Sequence, residues 1–113
     1  MKVYVGIREK DGTLSVTVNG QPLSPRLDLW NHSPTGFECG YSGSGPAQLA
    51  LALLADHLNN DEQAVRLHQL FKHEVVAGLS EEGWTLSDEQ VEQALESILR
   101  RHWESTPAEV EQP

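Results

Sequence analysis

Gly40-Tyr41-Ser42-Gly43-Ser44-Gly45-Pro46-Ala47-Gln48-Leu49-Ala50-Leu51-Ala52-Leu53-Leu54 decides the fold. A glycine-serine loop runs directly into a segment that is apolar on every side, and a helix of that kind has to be buried. Pro46 suits a first helical turn, where a missing N–H leaves no bond unmade. The rest of a small domain must therefore pack around this helix, expected over Pro46–Leu58. Leu51 and Leu53 should be fully enclosed. At least one of Gly40, Gly43 and Gly45 is expected at positive φ, because a chain that turns sharply before a buried helix needs that freedom.

Working back from the loop, the chain reads as strand and turn. Val3-Tyr4-Val5-Gly6-Ile7 is β-branched and aromatic. Asp11-Gly12 is a hairpin signal, and Leu14-Ser15-Val16-Thr17-Val18 alternates apolar and polar as a half-buried strand does. Asn19-Gly20 is a second hairpin signal, with a short third strand expected at Gln21-Pro22-Leu23. Two such turns so close together predict an antiparallel meander. Pro25 and Pro34 break the stretch that follows, and Phe37–Tyr41 reads as a last short strand feeding the loop.

Working forward, the chain reads as helix. Asn59, Asn60 or Asp61 can cap a second helix that runs to about Ala77, with Ala64, Leu67, Phe71 and Val75 as its buried stripe and Gly78 as its C-cap. Trp84-Thr85-Leu86 is a short extended piece. Ser87 followed by Gln90 is a capping box, which opens a third helix to about Glu104 with Val91, Leu95, Ile98 and His102 on its inner face. The predicted fold is an α+β domain over residues 1–104, with a small antiparallel sheet from residues 2–41 packed against three helices, the first of them buried. Residues 105–113 are expected to be a disordered acidic tail.

At 113 residues the chain supports one domain with one core. Its single cysteine, Cys39, excludes an internal disulfide and fits a reducing compartment. No apolar run approaches the roughly 20 residues that span a bilayer, so a soluble, cytoplasmic protein with no membrane partner is expected. The net charge of −9 is placed unevenly. Residues 1–40 carry four bases and four acids, whereas residues 41–113 carry four bases and thirteen acids. Such a half repels phosphate backbones, which argues against direct nucleic-acid binding, and attracts a basic protein surface.

The strongest candidate interface is on the third helix. Asp88, Glu92 and Glu96 stand four residues apart on one face, in steps of about 6 Å along the axis, a spacing comparable to successive phosphates on one strand. Glu89, Glu81 and Glu82 add to the charge. The competing explanation is a solvated helix face that keeps the protein soluble. The alternative site is the glycine loop: Gly43, Ser44, Gly45 and Ala47 at a helix N-terminus could hold a small anion or nucleotide. Against it, the loop matches neither the dinucleotide fingerprint nor the phosphate loop, and no lysine lies near it in sequence.

The remaining reactive residues carry weaker signals. No His-x-x-x-His or Cys-x-x-Cys pair exists, and His68 and His73 fall on different helix faces, so no metal and no cofactor are expected. Gly43-Ser44-Gly45 lacks the five-residue spacing of a nucleophile elbow. Cys39 has no histidine close in sequence, although His32 could approach it in space. It reads as a small buried hydrophobe. No catalytic residue is identified, and the chain is not expected to be an enzyme.

Phe37-Glu38-Cys39-Gly40-Tyr41 through Leu51 resembles the central motif of a family of small domains of unknown function met in bacteria and in phages, plasmids and other mobile elements. Val3-Tyr4-Val5-Gly6, Phe71 and Trp84-Thr85-Leu86 fit the same pattern, so the resemblance spans roughly residues 1 to 100. Cys39 stands where the family usually shows an aromatic. The resemblance implies no reaction and no catalytic residue. It implies a setting, in which small acidic proteins include inhibitors of host defence nucleases. Residue pattern and resemblance together point to a non-enzymatic, acidic protein-interaction domain. Its sharpest form is a nucleic-acid mimic of anti-CRISPR or anti-restriction type, and the glycine-loop anion binder is the alternative.

Overall fold

A computed structural model of the chain describes residues 1–104, and the tail expected over 105–113 lies outside the described residues. These residues form an α+β domain. Strands β1 (Val3–Arg8), β2 (Leu14–Val18) and β3 (Gln21–Pro22) precede helices α1 (Ser44–Leu58) and α2 (Asp61–Glu74); a 3-10 turn at Val76–Gly78, strand β4 (Gly83–Ser87) and helix α3 (Asp88–Glu104) follow. The sheet is antiparallel throughout, in the order β3-β2-β1-β4. The expected N-terminal meander is therefore present. The expectation that residues 2–41 supply the whole sheet is not met, because Trp84–Leu86 belongs to a full edge strand that pairs with β1.

Within the five-residue register of that extra strand, one pair stands out. Trp84 lies opposite Gly6, and a Cβ at Gly6 would overlap its indole ring. The ring lies across the glycine and covers the hole in the pleat, a pairing known to stabilise glycine-bearing strands. Tyr4, Val16, Val18 and Leu86 share that inner face with it.

Phe37–Tyr41 is not a strand. Only Phe37 pairs, in one isolated bridge to Leu14. Gly40, at φ +86, then turns the chain away and donates its N–H to Val76 O at 3.1 Å. It meets the expectation of a positive φ at one of the three loop glycines.

Helix α1 is the centre of the molecule, buried on every side from Gly45 to Ala55, with Leu49, Leu51, Leu53 and Leu54 fully enclosed. It lies against the inner face of the sheet, where the buried Tyr4 hydroxyl donates to Asp56 Oδ2 at 2.8 Å. It ends at Asn59 in the left-handed region, and Asn60 then caps α2 by accepting the Gln63 N–H at 3.1 Å. Ala64 and Phe71 of α2 are buried on it, with Leu67 and Val75 half-buried at the margin. Helix α2 stops at Glu74, short of the expected Ala77. Val75 and Val76 are β-branched and disfavour another turn, and Gly78 closes the 3-10 turn instead of a left-handed cap.

Candidate functional site

Helix α3 opens as its sequence requires. Ser87 Oγ accepts the Gln90 N–H at 3.1 Å and Gln90 Oε1 accepts the Ser87 N–H at 2.9 Å, a complete capping box. Val91, Leu95 and Ile98 are buried against the core. Beyond Ile98 the helix overhangs it, so His102 is exposed and not on the inner face as expected.

The outward acids of α3 divide into two kinds. Asp88 is half-buried and belongs to the fold: its Oδ2 accepts the Lys2 backbone N–H at 3.1 Å, a bond that holds its carboxyl below the usual range. That corrects its placement in a free acidic stripe. Glu89, Glu92 and Glu96 are exposed and share one face at spacings of three and four. Glu92 Oε1 meets His57 Nε2 at 2.7 Å, which pins α3 to the end of α1, yet its side chain remains 57% exposed. Glu81 and Glu82 do not join this group. They lie in the turn before β4, a strand's length of about 17 Å from Asp88, with their carbonyls accepting from Arg8.

Beside the acids runs a groove of about 760 Å³ between α2 and α3. Leu67 and Leu70 line it from α2, Leu95 and Leu99 from α3, and Leu58 from the end of α1. Glu92 and Glu96 stand on the α3 side and Arg66 on the α2 side. Leu99 is 40% exposed. Toward the far end, Arg101 Nη2 reaches Glu74 Oε1 at 2.8 Å and ties the two helices together.

The glycine loop is assembled differently. Gly43 caps α1 in an extended conformation and offers no side-chain bond. Of the first backbone groups, Pro46 has no N–H and Ala47 already donates to Gly43 O at 3.0 Å, which leaves Ser44 and Gly45 as donors. Gly45 is needed for packing, since a Cβ there would meet Glu38 Cβ at 2.7 Å. The adjoining cavity of about 490 Å³ is lined by the acids Asp11 and Glu38. The nearby guanidinium, Arg8, is already paired with Glu38 at 2.9 Å.

A third cavity, about 460 Å³ at the other end of α1, is bordered by Lys2, Arg26 and His57. Each of these faces a carboxylate: Lys2 pairs with Asp56, Arg26 with Asp28 and Asp61, and His57 with Glu92.

One group of residues escaped the sequence reading. Gln48 is fully buried in the apolar helix, and its amide is completely used. Its Oε1 accepts the N–H groups of His32 and Ser33 at 2.7 and 3.0 Å, and its Nε2 donates to Pro25 O and Trp30 O at 2.6 and 3.0 Å. Gln48 thus fastens the irregular segment 25–33 over α1. Trp30 stacks on His32, and His32 Nε2 lies 2.9 Å from Nε2 of the buried His68. His68 Nδ1 donates to Val65 O at 2.6 Å, so its Nε2 is the acceptor and His32 supplies the proton between them. Burial lowers the pKa of both rings, and the pair is neutral.

Cys39 is buried with its thiol directed at Ser80 O, and burial pushes its pKa up. Among the described residues, no group of three or more His, Cys, Asp or Glu is placed to hold a metal ion. No helix among them is long and apolar enough to cross a membrane.

The model of the family of unknown function DUF6166 matches residues 4–97. The chain belongs to this family. The match runs from Tyr4 in β1 to Ser97 in α3, so the DUF6166 domain includes all of the sheet but Val3, the Gly6–Trp84 pair and the Gln48 clamp. It also includes the acids of α3 up to Glu96. The chain matches no curated protein and no solved structure.

Proposed function

We propose that this DUF6166 domain is a non-enzymatic, acidic protein-interaction domain that engages a basic surface on a partner protein through the exposed face of α3. The carrying observation is that Glu89, Glu92 and Glu96 line one exposed helix face in the half of the chain that bears the whole net charge of −9. Carboxylates so arranged accelerate encounter with Lys- and Arg-rich surfaces and repel nucleic acid itself. The reactive side chains elsewhere support the non-enzymatic reading. The Cys39 thiol is buried and held protonated, and the His32–His68 pair is neutral and built into the packing.

The sharpest form is a nucleic-acid mimic from a phage, plasmid or other mobile element that acts in the cytoplasm against a host defence complex of CRISPR or restriction type. Axial steps of about 4.5–6 Å between successive acids support it, being comparable to the spacing of phosphates on one strand. The glycine-loop anion site receives no such support, with two free amides, two lining carboxylates and an already paired arginine.

The test is capture of partners from a bacterial lysate at low and high salt, with the wild type and with Glu89, Glu92 and Glu96 all replaced by Gln. A partner held by wild type, released by salt and lost by the variant is the expected result. Equal capture by both proteins overturns the reading. Purified CRISPR and restriction nucleases then test the sharp form, which fails if their cleavage is unaffected by the domain.

A further inference from the structure

We infer that the groove between α2 and α3 receives one amphipathic helix of the partner protein, about three turns long, with an apolar face seated on the leucines and Lys or Arg along the edge against α3. The inference rests on the reading of α3 as the interaction face and adds the shape and chemistry of what it engages.

The walls specify the occupant. Leu67 and Leu70, three residues apart on α2, are half-buried, and on α3 Leu99 stands exposed one turn beyond the buried Leu95, so both walls offer leucine surface against which a third helix can pack. Both walls are helical, and their backbone groups are bonded within their own helices. An extended peptide laid there would find no strand to pair with, whereas a helix satisfies its own backbone. On α3 the groove runs from Glu92 to His102, a rise of about 15 Å, or about three helical turns.

Charge sets the orientation. The α3 wall carries Glu92 and Glu96, whereas the α2 wall carries Arg66, which has no ion pair among the described residues. The complementary helix is basic along one edge and neutral or acidic along the other. A second copy of this chain fits less well, since two molecules of net charge −9 repel and each groove offers two glutamates against one arginine.

The test is selection of displayed peptides against the full chain. The library holds helices of about four turns with Leu or Ile fixed at i, i+3, i+4 and i+7 and both edges randomised among Lys, Arg, Glu and Gln. The expected winners carry Lys or Arg along one edge. They shift the amides of residues 67, 70 and 99 by NMR, and Leu99→Gln weakens them by about tenfold or more. Leu99 is partly exposed, so that variant folds; Arg66→Glu, also at an exposed position, is expected to favour winners that are basic on both edges. No enrichment over a library of scrambled pattern, shifts on another face, or binding indifferent to Leu99→Gln overturns the inference. So does a dimer in sedimentation that Leu99→Gln dissociates. Failure of the two readings is distinguishable. If the lysate partner is lost by the Glu89, Glu92 and Glu96 variant but kept by Leu99→Gln, the acidic face stands and the groove falls. If the reverse holds, the electrostatic reading falls.

Discussion

Replacing Gln48 by Leu keeps the bulk of the side chain and removes all four bonds that fasten segment 25–33 to α1. Each bond is worth about 1 kcal/mol net, which sets a loss of about 4 kcal/mol. The segment can relieve part of that loss. Trp30 is 51% exposed, so Pro25 O and Trp30 O can reach water if the loop lifts. The expected cost is therefore about 3 kcal/mol, a large part of the 5–15 kcal/mol that holds a domain of ordinary stability. With a urea slope of about 1.5 kcal/mol/M, the unfolding midpoint falls by about 2 M. Circular dichroism reads the global transition, and the indole N–H signal of Trp30 in a nitrogen-15 NMR spectrum reads the loop. Gln48→Glu is the sharper partner. It retains the acceptors but, when ionised, sets a carboxylate against two carbonyls. It should cost at least as much at neutral pH and recover in part as the acid protonates and regains a donor. A midpoint shift under about 0.5 M for both variants refutes the clamp.

Gly6→Ala drives a methyl into the Trp84 indole and should cost about 2 kcal/mol, falling toward zero in a Trp84→Leu background; equal costs in both backgrounds would show that the pair is not coupled. Leu51→Ala, at a fully enclosed site, should cost about 2–5 kcal/mol by chemical denaturation. Burial depresses the folded-state pKa of His32 and His68 below the ordinary 6.5, with the positive charge of Lys72 acting the same way. The unfolded chain then binds more protons below that pH. The contribution of the pair is full above about pH 6.5 and is lost as pH falls through the folded values. Unfolding midpoints across that window should drop in wild type and drop less in His68→Gln, and parallel profiles would remove the histidines from the pH response.

The elements whose pattern is local were legible in the sequence. An all-apolar run after Pro46 could only be a buried helix. Asp11-Gly12 and Asn19-Gly20 could only be tight turns, and Ser87 with Gln90 was a cap before it was a structure. What was not legible depends on partners distant in sequence. Trp84-Thr85-Leu86 is too short to announce a sheet strand, and its place is decided by Gly6, far away in β1. Phe37–Tyr41 has the composition of a strand but is spent on a bridge, a turn and the approach to α1. Gln48 gave no signal, because a single amide in an apolar helix shows its purpose only when four backbone groups of another segment converge on it. The acidic face of α3 was visible as a period of four, yet Asp88 was counted in it because its bond to Lys2 joins residues 86 positions apart. The groove could not be read at all, since its walls come from two helices whose crossing no local pattern sets.

The most direct test of the acidic face is the association rate of a captured partner as a function of ionic strength, measured by stopped flow for wild type and for the variant with Gln at positions 89, 92 and 96. Asp88 is left in place because it holds the N-terminus of the chain, and Gln at position 92 can still bond His57. Exposed charges add little to stability, so both proteins should be equally folded. The wild-type rate should fall steeply as salt screens the field, and the variant should start slower and fall along a shallower line, with dissociation rates little changed. Equal slopes with equal affinities would mean that these carboxylates only keep the protein soluble.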